Sequence, residues 1–287
     1  MHCVALRLFV VAALALLAAC AQQPGKPLAA REAAAIEANR RAELRFRSGD
    51  LDGAVQQYQV ALRVSQSVED VDGIAANAIN LSIANQRLGK HAEARASLAP
   101  VLDQSRLSFP SARLAQAALR RAVLDFDERR YATAAEWLEK AASWCGPQGC
   151  TLSSSIHNVR GLLALEAGHT DAAAASARAA LEASRRSGDR VEAANAMRLL
   201  GNVAIRSGDA AAALAPLTEA LGIDRGLALP RKIYLDLVSL GRASAQGGER
   251  TTARTYYERA LAVSEAERDA KAAAEAHDLI KALGSTP

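Results

Sequence analysis

Large rings are scarce in this chain. Aromatic residues make up 4% of its 287 residues, two of them tryptophan, and they are not interleaved with lysine or arginine. That excludes the stacking platforms and basic tracks along which nucleic acids lie. A net charge of +4, with both signs mixed along the chain, points the same way, so no nucleic-acid partner is expected. Valine and isoleucine are sparse and do not alternate with polar residues, which excludes a sheet. Catalytic signatures are missing too. No G-x-x-x-x-G-K phosphate loop ending in Ser or Thr is present; "RLGKHAEA" has the lysine but lacks the first glycine and the hydroxyl. Neither H-E-x-x-H nor G-x-S-x-G occurs. Asp70 with Asp72, and Asp125 with Asp127, lie two apart, a spacing that diverges on a helix, so they read as solvated or capping carboxylates. His91, His157, His169 and His277 are scattered, His91 and His169 as turn residues, and none is assigned a ligand role. No catalytic residue, metal or cofactor is expected.

Long hydrophobic runs are missing apart from one, Leu8 to Ala19, which follows Arg7. It is shorter than the roughly 20 residues that cross a bilayer and has the length of a signal-peptide core. The tetrad Leu17-Ala18-Ala19-Cys20 that ends it resembles the lipobox of bacterial lipoproteins. The resemblance implies cleavage before Cys20, diacylglycerol on its thiol, and a membrane anchor of palmitate-like chains. At about 0.8 kcal/mol for each buried CH₂, two or three such chains hold a protein on a membrane almost permanently. The competing reading is an ordinary secretory signal with Cys20 incidental. Ala21 and Gln22 follow where an aspartate would retain a lipoprotein in the inner membrane, so the resemblance implies the outer membrane, facing the periplasm. Residues 1–19 are then the leader, and 20–30 the lipidated cysteine and a linker containing Pro24, Gly25 and Pro27.

Cysteines number four. Cys3 leaves with the leader and Cys20 takes the lipid. Cys145 and Cys150 remain, in "CGPQGC". In an oxidising compartment such an isolated pair is expected as a structural disulfide, with Gly146-Pro147 and Gly149 supplying the turn. A metal site needs more ligands, and His157 stands at no matching spacing; a C-x-x-C redox pair is spaced differently.

What the chain has in abundance is alanine, the best helix former, and a period of forty. The short polar turns "SGDLDGA", "LGKHAEA", "ERRYATA", "AGHTDAA", "SGDAAAA" and "GGERTTA" begin around Gly49, Gly89, Arg129, Gly168, Gly208 and Gly248, separated by 40, 40, 39, 40 and 40 residues. Seven before these positions stand Ala42, Ser82, Ala122, Gly161, Gly201 and Gly241. Five after them stand Ala54, Ala94, Ala134, Ala173, Ala213 and Ala253. Nine after stand Tyr58, Leu98, Leu138, Ala177, Leu217 and Tyr257. Twelve after stand Ala61, Val101, Ala141, Ala180, Ala220 and Ala260. Agreement at four offsets in six copies resembles the tetratricopeptide repeat in its longer form of about 40 residues.

The resemblance implies an all-α, right-handed α-solenoid of six helical hairpins, each an A helix and a B helix, over residues 31–265. Small residues belong where A and B cross closely. The turn glycine closes helix A in a left-handed conformation, and the aspartate of "SGD" caps helix B. Arg129 breaks the glycine rule in the third copy, and Ala177 leaves the fourth without its bulky residue, which predicts looser packing there. Residues 266–284 form a capping helix with a wet outer face. Breaks between helices are expected at Pro110 and Pro230.

The family's groove residues lie on the A helices, two, six and ten positions before the turn glycine. Carried over, these positions include Arg47, Arg87, Asn158, Arg198, Asn202, Arg206 and Arg242 as the candidate peptide-binding set. Arg198, Asn202, Arg206 and Arg242 form its densest part, suited to an acidic segment or a carboxylate. The bland alternative is a solvated face with routine salt bridges. The function expected is that of a membrane-anchored scaffold or assembly factor for a protein or peptide partner. The alternatives are a pilotin-like or cell-wall-enzyme regulator, a ligand-binding or enzymatic solenoid, and self-association.

Overall fold

Most of the long helices end the same way, and this repetition builds the fold. In a computed structural model, residues 30–103, 106–146 and 149–284 are described. Cys20, the leader and all of the linker before Ala30 lie outside the described residues. Among the described residues, twelve helices and two short segments pair into six antiparallel hairpins and a final helix. The hairpins are α1 (Ala30–Arg47) with α2 (Leu51–Ser67), then α3 (Val71–Arg87) with α4 (His91–Ala96) and α5 (Ala99–Leu102). α6 (Ser111–Asp127) pairs with α7 (Tyr131–Cys145), and α8 (Ser153–Glu166) with α9 (Thr170–Ser187). α10 (Arg190–Arg206) pairs with α11 (Ala210–Gly226), and α12 (Pro230–Gln246) with α13 (Arg250–Ala266). The last helix, α14 (Ala270–Gly284), packs on α13 through Ala272 and Ala276. Each hairpin stacks on the next, as an α-solenoid requires. No helix among the described residues is long and apolar enough to cross a membrane.

The turns after the A helices are left-handed, with φ of 82° at Gly49, 73° at Gly89, 80° at Gly168 and 83° at both Gly208 and Gly248. The amide that follows each donates back five residues, as Asp209 does to the Ala204 carbonyl at 2.9 Å, and so closes the helix end. Arg129 does the same at φ 58° and its turn keeps the shared geometry, so the missing glycine is tolerated rather than avoided. The turns after the B helices repeat the device twenty residues on, at Glu69, Gly188, Ala228 and Arg268. Asp50 and Asp209 of the "SGD" turns accept from the amides of Gly53 and Ala212. Asp70, Asp189 and Asp269 cap the opposite class of turn in the same way.

The crossing points are as tight as the pattern of small residues implies. All six alanines five after the turn are fully buried. A Cβ on Gly201 would overlap Leu217, and one on Gly241 would overlap Tyr257, the bulky residues nine after their own turns. The fourth hairpin corrects the expectation of looseness. Ala177 is fully buried, and a Cβ on Gly161 would stand 2.5 Å from Leu199 Cδ2, so the next hairpin supplies the missing bulk.

Pro110 caps α6 and Pro230 begins α12, the two expected breaks. A third proline, Pro100, sits at the start of α5 and splits the second B helix into two short pieces, because it has no amide to continue the ladder. Cys145 and Cys150 are joined in a disulfide, Cα to Cα 5.2 Å, at the end of α7. The reading of Asp125 as a solvated carboxylate is overturned. It is wholly buried and accepts from Arg121 Nε at 3.1 Å and from Arg130.

Candidate functional site: the groove of the A helices

The A helices of hairpins two to six line one groove of about 890 Å³. Its floor is apolar, with Ile79, Leu119, Val123, Leu162, Leu199 and Val238. Leu235, 40% exposed, adds an apolar side chain from α12. The first hairpin contributes nothing to it, whereas Glu275 of α14 does. The solenoid curls far enough that Arg87, ending α3, shares a small cleft with Pro230 and Glu267 of the sixth hairpin.

A continuous polar network lines one side of the groove and runs on behind it to Asp224 and Asp236. Asn158 of α8 donates to the Glu192 carbonyl at 3.0 Å and to its carboxylate at 2.7 Å. Asn195 donates to the same carboxylate at 3.1 Å and accepts from Lys232 Nζ of α12 at 2.5 Å and from Arg198 at 3.0 Å. Arg198, only 8% exposed, donates through Nε to Asp236 at 2.6 Å and through its other arm to Asp224. One guanidinium thus joins α10, α11 and α12. Burial pushes the Asp236 carboxyl up to about 6, with Arg198 pulling the other way and Asp224 adding to the rise. Burial, and then Arg198, lowers the Lys232 ammonium.

The sequence-derived set separates into three groups. Asn158, Arg198, Asn202 and Arg242 line the groove. Of these, Arg198 is locked between two buried carboxylates and has no arm to offer a partner. Arg242 is paired with Glu275 at 3.0 Å and remains half exposed, while Asn202 is half-buried with no side-chain hydrogen bond among the described residues. Arg47 and Arg206 are exposed at the ends of α1 and α10, outside the groove. Arg87 lies over the Phe46 ring, 5.9 Å from its centroid, also outside.

Sequence reasoning missed Arg120, Lys232, Asp224 and Asp236. Arg120, on α6, lines the groove and is held against the second hairpin by Ser82 and Gln86. Burial brings its guanidinium down to about 10, with Asp127 acting in the opposite direction. Asp127, exposed at the end of α6, accepts from Gln86. A signal for Asp224 exists in the period itself. Sixteen residues after the turn glycine stand Ser65, Ser184, Asp224 and Ser264, every one buried.

No protein-family model matches the chain, and no curated protein matches it. Solved structures do. The Cut9–Hcn1 hetero-tetramer of the APC/C superposes with a TM-score of 0.65 at 14% identity, over 87% of this chain and 42% of that one. A Rap protein complexed with competence and sporulation factor gives 0.62 at 15% identity, over 88% and 71%. A signal-transduction ATPase with a tetratricopeptide-repeat sensor, from Pyrococcus horikoshii, gives 0.60 at 16%, over 86% and 37%. The chain therefore spans less than half of the first and third of these. At such identities the likeness shows the fold, an α-solenoid of the tetratricopeptide-repeat type.

Proposed function

We propose that this chain is an interaction scaffold of the bacterial cell envelope, tethered by acyl chains on Cys20 to the outer membrane and facing the periplasm. Its groove takes a segment of a protein partner, and the tether keeps that partner close to the membrane. The observation that carries the docking half is the groove itself: five successive A helices turn an apolar floor and a polar rim to one cavity, a geometry suited to a segment with apolar anchors. The Rap structure, in complex with a factor on the same fold, supports the reading. The tether rests on the lipobox resemblance, Leu17 to Cys20.

Crosslinking and capture from intact membranes tests both halves. Asn202→Trp, which blocks the groove without touching the ion-pair network, is expected to lose one specific partner that the wild type captures. Cys20→Ser is expected to release the chain from the membrane fraction and to abolish labelling by palmitate. An identical catch with Asn202→Trp removes the docking surface, and undiminished labelling of Cys20→Ser removes the tether.

A further inference from the structure

Two of the cations that line the groove lack what the others have. Arg113, Arg198, Arg231 and Arg242 each contact a carboxylate: Asp72, Asp236, Asp269 and Glu275. Among the described residues Arg120 touches only neutral acceptors. They are the Ser82 hydroxyl and carbonyl, both at 3.2 Å, and the Gln86 amide oxygen at 2.5 Å. Among the described residues Lys232 touches only the Asn195 amide oxygen, with the Glu192, Asp224 and Asp236 carboxylates acting on it from further off. Both are substantially removed from water, and burial weakens the hold of each on its proton. Asp127 acts on Arg120 only from a distance, because Gln86 stands between them and is hydrogen-bonded to both. A desolvated cation with no anion in contact is costly, and an arriving acid relieves that cost.

The rest of the cavity sets the shape of what brings the acid. Its volume of about 890 Å³ falls in the range of small-molecule sites, roughly 300–1,000 Å³, and its floor is apolar. Asn158, 5% exposed, presents a buried Oδ1 that has no donor among the described residues. We propose that the groove binds a compact organic anion, its acid drawn to Arg120 with Lys232 adding to the positive field, its apolar body lying on Ile79, Leu119, Val123 and Leu162. The Asn158 oxygen offers one place for a donor on that body. This site goes beyond the docking of a protein and stands whether or not a partner engages the rim.

Titration calorimetry on the full-length chain, with 4-phenylbutyrate and its uncharged analogue 4-phenylbutanol, tests the assignment. The acid is expected to bind at least tenfold more tightly than the alcohol. Arg120→Gln should weaken the acid at least tenfold and leave the alcohol where it was. A structural collapse would weaken both, and Arg120→Lys, which keeps the charge, should restore most of the difference. Lys232→Gln, which leaves the Ser82 and Gln86 contacts intact, should weaken the acid about threefold or more. The proposal is overturned if acid and alcohol bind alike, if the acid does not bind, or if Arg120→Gln binds it as the wild type does. An acidic hexapeptide binding ten times more tightly than phenylbutyrate would also overturn it, in favour of a peptide carboxylate as the occupant.

Discussion

Arg198 Nε donates to Asp236 at 2.6 Å across 38 residues of chain, from the fifth hairpin to the sixth, while another arm of the same guanidinium holds Asp224. Both carboxylates are fully buried. Removing the cation strands two charges where water cannot reach them, and breaking a buried pair in this way costs about 3–5 kcal/mol. Arg198→Met should therefore lower the urea midpoint sharply with little change in slope. A loss under about 1 kcal/mol would show that the cluster is not ionised as drawn. The same burial makes Arg198 unsuitable as a probe of the groove, since any charge reversal there attacks the fold first.

The pH dependence has a definite sign. The Asp236 carboxyl moves from 3.8 in the open chain to about 6 in the fold. Between those values the folded state holds the proton and the unfolded state has released it. This residue's contribution to stability thus declines as pH rises from about 4 to about 6 and is level above about 7, by at most about 3 kcal/mol. Comparing Asp236→Asn with the wild type by thermal melting across that window should show the difference between the two curves changing in that direction. Parallel curves would refute the raised value.

Left-handed turns occupied by residues with side chains are improvable. Arg129 and Ala228 sit at φ 58° and 52°, where a Cβ is unfavourable. Arg129→Gly and Ala228→Gly should each stabilise by about 0.5–1 kcal/mol, after allowing for the greater freedom of glycine in the unfolded chain. The reverse change, Gly208→Ala, should destabilise by about 1 kcal/mol. Chemical denaturation of the three variants separates backbone geometry from any effect of side-chain contacts.

Close crossing of helices makes the opposite demand at Gly201. Alanine there meets Leu217, and overpacking of this kind costs about 1–3 kcal/mol. Pairing Gly201→Ala with Leu217→Ala should recover part of that loss, a coupling that a double-mutant cycle measures directly. Simple additivity of the two changes would place the strain elsewhere.

The features legible in the sequence were those that repeat. The turn glycines, the alanines five residues on and the small residues seven before all stand where one hairpin geometry requires them, and six copies made the pattern visible. Pairings between hairpins were less legible. Arg198, Asp224 and Asp236 lie 26 and 12 residues apart, and only stacking brings them to one point. A faint precedent exists in the same register. Asn77 donates to Ser65 Oγ at 3.3 Å between the first and second hairpins, twelve residues apart, as Asp224 and Asp236 are. The carried-over positions include four that line the groove, Asn158, Arg198, Asn202 and Arg242, but say nothing of which cations are already occupied. Arg120 and Lys232 lie nine and sixteen residues before their turns, outside the carried-over positions, so their lack of a carboxylate partner is a property of the folded chain alone.

Pro100 breaks the uniformity of the array. Apart from the disulfide turn after α7, the other helices follow one another through short matched steps, and deformation in such an array is shared thinly among them. At Pro100 the second B helix is broken into two short pieces and stops at Leu102, although α6 still begins at Ser111, in step with the other A helices. Widening of the trough to admit a guest should accordingly pivot at the broken B helix around Pro100, swinging the N-terminal two hairpins as a leaf against the C-terminal four. Spin labels on α3 and α12 would read the swing as a longer separation when the guest enters, and an unaltered distance would assign the trough a fixed aperture.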